Sequence, residues 1–224
     1  MCKKRSVAAR LWLDSEFDTF TFERDLRKQG YGSIGGLDEV GRGPLAGPVV
    51  AACVILPAGC DYQVFRDSKK LSPAARDYLY EKIIQMKAAV GIGTVAEGDI
   101  DNLNILQASL LAMRMASSAL PHPPDFLLVD GTFQVPIAIP QQTLVKGESK
   151  SASIAAASII AKVTRDRLME EFHNKFPQYN FAKNKGYPTA EHRSALEKYG
   201  PCVIHRRSFK GVREHFSGSA VAGG

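Results

Sequence analysis

The chain predicts an α/β fold: a mixed sheet flanked by helices, with a smaller helical part behind it. Three observations carry that expectation. Short apolar runs alternate with stretches of helical spacing between residues 31 and 172. The strand patterns come first in that order. Residues 173–216 are more polar and hold one clear helical segment, Ala190 to Tyr199. At 224 residues the chain makes one large domain, or one domain with a small appendage.

Residues 1–30 read as an amphipathic helical extension, with Phe17, Phe20, Phe22 and Leu26 among charges such as Glu23 and Arg24. Ile34 to Leu37 is a short, glycine-flanked apolar run that predicts a buried strand ending at Asp38-Glu39. Val49 to Leu56, rich in Val, Ile and Ala, predicts the next strand. Ser72 is placed to cap a helix whose first turn holds Pro73. Val90 to Val95 predicts a strand, and Leu103 to Leu120 a helix broken by Pro121 to Pro124. Phe126 to Val129 predicts a strand ending at Asp130-Gly131, and Thr143 to Lys146 a further one. Ser151 to Phe172 predicts a long helix, small-residue rich at first and charged later. The tail 217–224 has the composition of a flexible end.

Composition narrows the function. The net charge of +6 suits a polyanionic partner, because Lys and Arg near phosphates release counterions. The four cysteines form no C-x-x-C pair, which argues against a zinc module or a disulfide framework and for a reducing, cytoplasmic setting. No run approaches the roughly 18 apolar residues of a membrane span. The basic N-terminus is interrupted by Arg10, Asp14 and Glu16, so it does not read as a signal peptide. The five histidines show no spacing that gathers them with cysteines or with one another, and none is expected to bind metal.

The chemistry-bearing residues sit at strand ends. Asp38-Glu39 closes one apolar strand and Asp130 another. If those strands are neighbours, the acids converge, and clustered carboxylates call for a hard cation such as Mg²⁺ or Mn²⁺. The alternative is a turn in which each Asp caps local amides. Gly41-Arg42-Gly43-Pro44-Leu45-Ala46-Gly47-Pro48 follows at once. Its glycines permit close approach to the backbone, so it is either a dock for a sugar or phosphate or simply a tight strand connection.

These residues resemble the signature of bacterial ribonuclease HII. The likeness runs through Asp38 to Val49, Asp67-Ser68-Lys69-Lys70-Leu71-Ser72, Leu103 to Ala108 and Val129-Asp130-Gly131. It continues through Lys146-Gly147-Glu148, Ile154 to Asp166, Gly186-Tyr187-Pro188-Thr189 and His205 to Phe209, covering roughly residues 31–212. The resemblance implies an RNase H-like fold, a mixed five-stranded sheet flanked by helices with a small helical C-terminal part. It divides the chain into an extension (1–30), a catalytic core (31–172), a C-terminal helical portion of the same unit (173–216) and a tail (217–224).

The activity implied is metal-assisted hydrolysis of the RNA strand of RNA–DNA hybrids, and of the bond 5′ to a ribonucleotide embedded in duplex DNA. The product carries a 5′-phosphate. Asp38, Glu39, Asp130 and Glu148 carry catalysis and metal, with Asp38 shared between two ions about 3.5–4 Å apart. The family more often has Asp where Glu148 stands, which bears on metal spacing and preference. Gly41, Arg42 and Gly43 inherit contact with the 2′-hydroxyl, the group that distinguishes RNA. Tyr187 inherits a place beside that hydroxyl, stacked on the neighbouring deoxynucleotide; otherwise it is a partly buried tyrosine.

Lys69, Lys146, Ser158 and Lys162 are expected at phosphates, or else as solvated surface groups. Ser158 and Lys162 share a helix face by their spacing. Asp166, one turn on, is expected to pair with a basic residue. Arg206 and Arg207 either touch DNA or decorate the surface. The partners implied are RNA–DNA hybrid and ribonucleotide-containing duplex DNA, with no membrane and a monomeric protein. A catalytically silent binding module is disfavoured because acids facing phosphate would only weaken binding. Another nuclease or recombinase of the fold is disfavoured by the Gly-Arg-Gly turn and Tyr187.

Overall fold

The structure, a computed structural model, describes residues 18–65 and 71–217. Lys69, residues 1–17 of the extension and residues 218–224 of the tail lie outside the described residues. The strands are β1 (Ile34–Val40), β2 (Val49–Ile55), β3 (Ala89–Val95), β4 (Phe126–Asp130) and β5 (Gln141–Leu144). The helices of eight or more residues are α1 (Thr21–Lys28), α2 (Pro73–Gln85), α4 (Ile105–Ser118), α5 (Ala152–Lys175) and α7 (Ala190–Tyr199). Shorter ones are α3 (Glu97–Leu103), α6 (Phe181–Asn184) and α8 (Glu214–Ser217).

The sheet is five-stranded in the order β3-β2-β1-β4-β5. β1, β2 and β3 pair antiparallel, whereas β1–β4 and β4–β5 pair parallel. This is the mixed α/β sheet expected. Strand alternation divides its core into two faces. Val49, Ala51 and Cys53 face α4, while Ala52 and Val54 face α5 and α2.

Close approach explains the small residues. A Cβ on Gly36 would meet backbone of Ser153 at 2.1 Å, and one on Gly93 would meet the Ala112 carbonyl at 2.1 Å. The alanines of α5 and the glycines of β1 therefore let helix and sheet backbones nearly touch.

Three expectations are corrected. The helix expected over 103–120 is two helices, because Asn104 adopts φ +72° and its side chain accepts from the amides of Leu106 and Gln107. It thereby caps α4 and ends α3. The last strand is Gln141–Leu144 rather than 143–146, since Lys146 turns away at φ +56°. β1 runs one residue beyond its expected end at Asp38-Glu39, to Val40. The cap on α2 is as expected: Ser72 accepts from the Ala75 amide.

α1 packs Phe20 and Leu26 inward, and the buried Glu23 accepts from the Ser151 hydroxyl at 2.7 Å and the Ser153 amide at 3.0 Å. A carboxylate thus sits at the N-terminus of α5, where the helix dipole favours it. Behind the sheet, Tyr179, Phe181, Leu196, Ile204 and Val212 form a separate apolar cluster with Leu45 and Met169. Among the described residues no helix is long and apolar enough to cross a membrane.

Candidate active site

The site is set by the pairing of β1 with β4. Leu37 lies opposite Val129 in a parallel register, so Asp38 and Asp130 follow at the same level. Leu37 and Val129 both face α4; the next residues, Asp38 and Asp130, therefore turn toward α5. The Ser158 hydroxyl of α5 donates to Asp38, as does the Glu39 amide at 2.8 Å.

Asp38 is buried, 8% exposed. Burial pushes its carboxyl well above the usual range, and the charges of Glu39 and Asp130 push it further. Glu39 is raised for the same reason, first by burial, with Asp130 adding to it and Arg42 opposing. Arg42 reaches Glu39 at 3.2 Å.

Glu148 arrives through β5. The Gly147 amide donates to Asp130 at 2.6 Å, and Glu148, the next residue, is buried at 7% exposure. Asp38 and Glu39 from the end of β1 and Asp130 from the end of β4 thus meet in one acidic corner, with Glu148 in the turn that holds Asp130. Glu39 leans to Arg42 and Asp130 to Gly147. Among the described residues no three carboxylate, histidine or cysteine side chains close around a single point as a ready metal cage. The donor set still fits a hard divalent cation in kind: all ligands are oxygen, and their mutual repulsion calls for positive charge.

Two clefts open on Glu39. One is shared with Asp130, Arg42 and Phe133. The other is lined by Ser158, Lys162, Arg76 and Tyr187. Lys162 pairs with Asp166 at 2.6 Å, the ion pair expected, and Arg76 approaches the same carboxylate at 3.7 Å. Arg76 had no signal in the sequence beyond its place in α2. Lys146 is exposed beside the acidic corner. Gly43 and Tyr187 are neighbours, since a Cβ on Gly43 would lie 3.7 Å from the Tyr187 ring.

Arg206 is neither a DNA contact nor a surface decoration; it is fully buried. Its guanidinium donates to the carbonyls of Gly41 (2.6 Å), Arg42 (3.1 Å) and Gly47 (2.7 and 2.9 Å). Arg165, equally buried, donates to Pro48, Ala46 and Lys185. Burial and the neighbouring Arg165 push Arg206 down to about 9, and Glu97 is a nearby opposing charge. Arg207 is exposed, its backbone amide held by Asp101.

The histidines also differ from expectation. His192 and His205 meet at 3.0 Å, and Cys202 lies 3.1 Å from the other nitrogen of His205. His192 Nδ1 faces the Tyr187 carbonyl at 2.9 Å, so that nitrogen carries the proton and His205 donates to His192. Cys202 and His205 stand three apart in the chain, a local signal that was passed over, and the fold brings His192 to them.

Comparison with known proteins decides the family. The Ribonuclease HII family model matches residues 35–212. The chain belongs to the ribonuclease HII family. The ribonuclease HII of Desulfotalea psychrophila (strain LSv54 / DSM 12343) is 57% identical over 210 residues, spanning 92% of this chain and 93% of that protein. Among solved structures, ribonuclease H2 from Pyrococcus horikoshii OT3 superposes with a TM-score of 0.71 at 25% identity, covering 83% of this chain and 98% of that one. Bst-RNase HIII in complex with Mn²⁺ shares the fold, with a TM-score of 0.65 at 18% identity over 83% of this chain and 69% of that one. As a ribonuclease HII, the chain is an endonuclease that cleaves RNA in RNA–DNA hybrids.

Proposed function

We propose that this ribonuclease also cuts duplex DNA on the 5′ side of a single embedded ribonucleotide, leaving a 5′-phosphate. One observation carries the reading: the β1–β4 register sets Asp38 and Asp130 level, a few residues before the turn Gly41 to Gly43 that lies against Tyr187. A phosphate held at the acids would leave its ribose at that turn.

Asp38, Glu39, Asp130 and Glu148 would hold divalent cations, Mn²⁺ or Mg²⁺. When bound, such ions supply an activated water and positive charge at the leaving 3′-oxygen. The protein's own groups do the rest. Ser158 fixes the Asp38 carboxylate through its hydroxyl. Lys162, steadied by Asp166, presents charge to a phosphate in the cleft it shares with Glu39. Lys146 extends that charge along the backbone, and the phosphate role proposed for Lys69 falls on a residue outside the described ones. Arg42 and Gly43 are exposed, so their amides can be read by a 2′-hydroxyl at the surface of the turn. Tyr187, 40% exposed, offers a ring to the adjacent nucleotide.

The core (31–172) and the portion 173–216 act as one catalytic unit, which the bonds of Arg165 and Arg206 across that boundary support. We place the protein in the cytoplasm as a monomer. The test is a DNA duplex with one ribonucleotide, incubated with the protein plus and minus Mg²⁺ or Mn²⁺, and the cut mapped to the nucleotide. Metal-dependent cleavage at the 5′ side is expected. Cleavage elsewhere, or equal cleavage of an all-DNA duplex, would overturn the reading.

A further inference from the structure

The turn from Gly41 to Pro48 is gripped from beneath by a segment far away in sequence. The Gly47 amide donates to Ile204, the Arg206 amide donates to Leu45, and Ala46 bridges His205. These ties hold the 45–47 half. The other half, Gly41 to Gly43, receives its hold from the Arg206 side chain, which bonds the Gly41 and Arg42 carbonyls while anchored on Gly47. Arg206 itself cannot swing away: it is fully buried, with its guanidinium 5.0 Å from the Phe209 ring centre.

We propose that Arg206 is a positioning residue for sugar discrimination. By fixing the carbonyls of Gly41 and Arg42 on the protein side, it leaves the Arg42 and Gly43 amides presented on the open side, where a 2′-hydroxyl is read. The inference rests on the reading of this turn as the ribose sensor. It assigns the discrimination partly to a side chain that never meets the substrate.

Guanidinium chemistry matters here. Its planar fork spans carbonyls of residues 41, 42 and 47 at once, and a lysine ammonium is a single point that cannot. Without the fork, Gly41, at φ +96°, and its neighbours lose their shared anchor. The amides then sample orientations that no longer match one hydroxyl.

The test is equilibrium binding, with Mg²⁺ present and turnover blocked by Asp38→Asn in every protein. Two duplexes are compared, identical except for one ribonucleotide. The parent should bind the ribonucleotide duplex more tightly. Adding Arg206→Lys or Arg206→Met should shrink that preference at least about fivefold while leaving affinity for all-DNA duplex nearly unchanged. Thermal unfolding of each protein keeps the assay on folded material, and Arg206→Lys decides the matter should Arg206→Met not fold. A structural role alone would weaken both duplexes together, and an unchanged ratio overturns the proposal.

Gly43→Ala separates this failure from failure of the underlying reading. Its Cβ has ordinary clearance, 3.7 Å from Tyr187, yet it intrudes where the sugar would sit. If the parent shows no preference, or Gly43→Ala leaves the preference intact, the turn is not the sensor. If Gly43→Ala abolishes it and Arg206→Lys does not, the turn senses ribose without help from Arg206.

Discussion

Charge is buried in two regions of this molecule, and the regions treat it in opposite ways. Arg165 and Arg206 lie under the glycine turn with their donors distributed among backbone carbonyls. Glu97 adds an opposing charge nearby. In the acidic corner, Asp38, Glu39 and Asp130 repel one another, and the carboxyls of Asp38 and Glu39 are pushed upward. A buried charge satisfied from within belongs to the scaffold. Buried charges left in mutual repulsion are arranged for a partner that arrives from outside.

The largest effect should break the acidic side. Asp38→Asn should lower kcat on the order of a thousandfold or more. The same change should leave thermal stability equal or higher, because the raised pKa means that the ionised form of Asp38 costs the fold. Rate and melting temperature measured together check both halves. A drop of several degrees would show that the corner is satisfied from within after all.

The satisfied side should fail differently. Arg165→Met strands the carbonyls of Pro48, Ala46 and Lys185 without their donor. The cost should be about 3–5 kcal/mol in denaturant unfolding. A loss under about 1 kcal/mol would mean that water or relaxation replaces the guanidinium.

A smaller, pH-dependent effect sharpens the contrast. Burial, then the neighbouring His192, lowers His205 to about 4, with His215 adding slightly and Cys202 opposing. Below about pH 6.5 the unfolded chain takes up a proton that the folded imidazole refuses. The stabilisation is therefore complete above that value and drains as pH falls toward 4, amounting to a loss of about 2 kcal/mol by pH 5. Raised carboxyls such as Asp38 shift stability in the other direction, so the comparison is between wild type and His205→Gln across pH 5 to 7.5. The variant should show the flatter profile; identical slopes would remove His205 as the titrating group.

What could be read beforehand follows the same division. The strands that carry Asp38 and Asp130 announced themselves by apolar runs, but their adjacency stayed a condition, because the pairing of β1 with β4 spans about ninety residues of chain that no local pattern bridges. Ser72 and the Lys162–Asp166 pair were legible because caps and ion pairs one helical turn apart are local. Arg206 was not legible, because its partners lie more than 150 residues earlier, at positions such as Gly47. Nothing beside it in the chain marks it as buried. The Cys202–His205 spacing of three was a missed local signal, and only the approach of His192, thirteen residues before His205, needed the fold. Asn104 was a missed local signal: an Asn ahead of an apolar helix is a cap, and here it splits the expected helix.

The one-to-one alignment of Leu37 with Val129 has a consequence for how the enzyme is made. Shift β4 by a single residue and Asp130 lands on the opposite face, among the apolar groups under α4. Such a chain would exile an acid into oil while presenting a hydrocarbon to the phosphate. On the proposed reading of these acids, correct assembly and competence for hydrolysis are thus one event, and a misaligned sheet is penalised before any substrate is met.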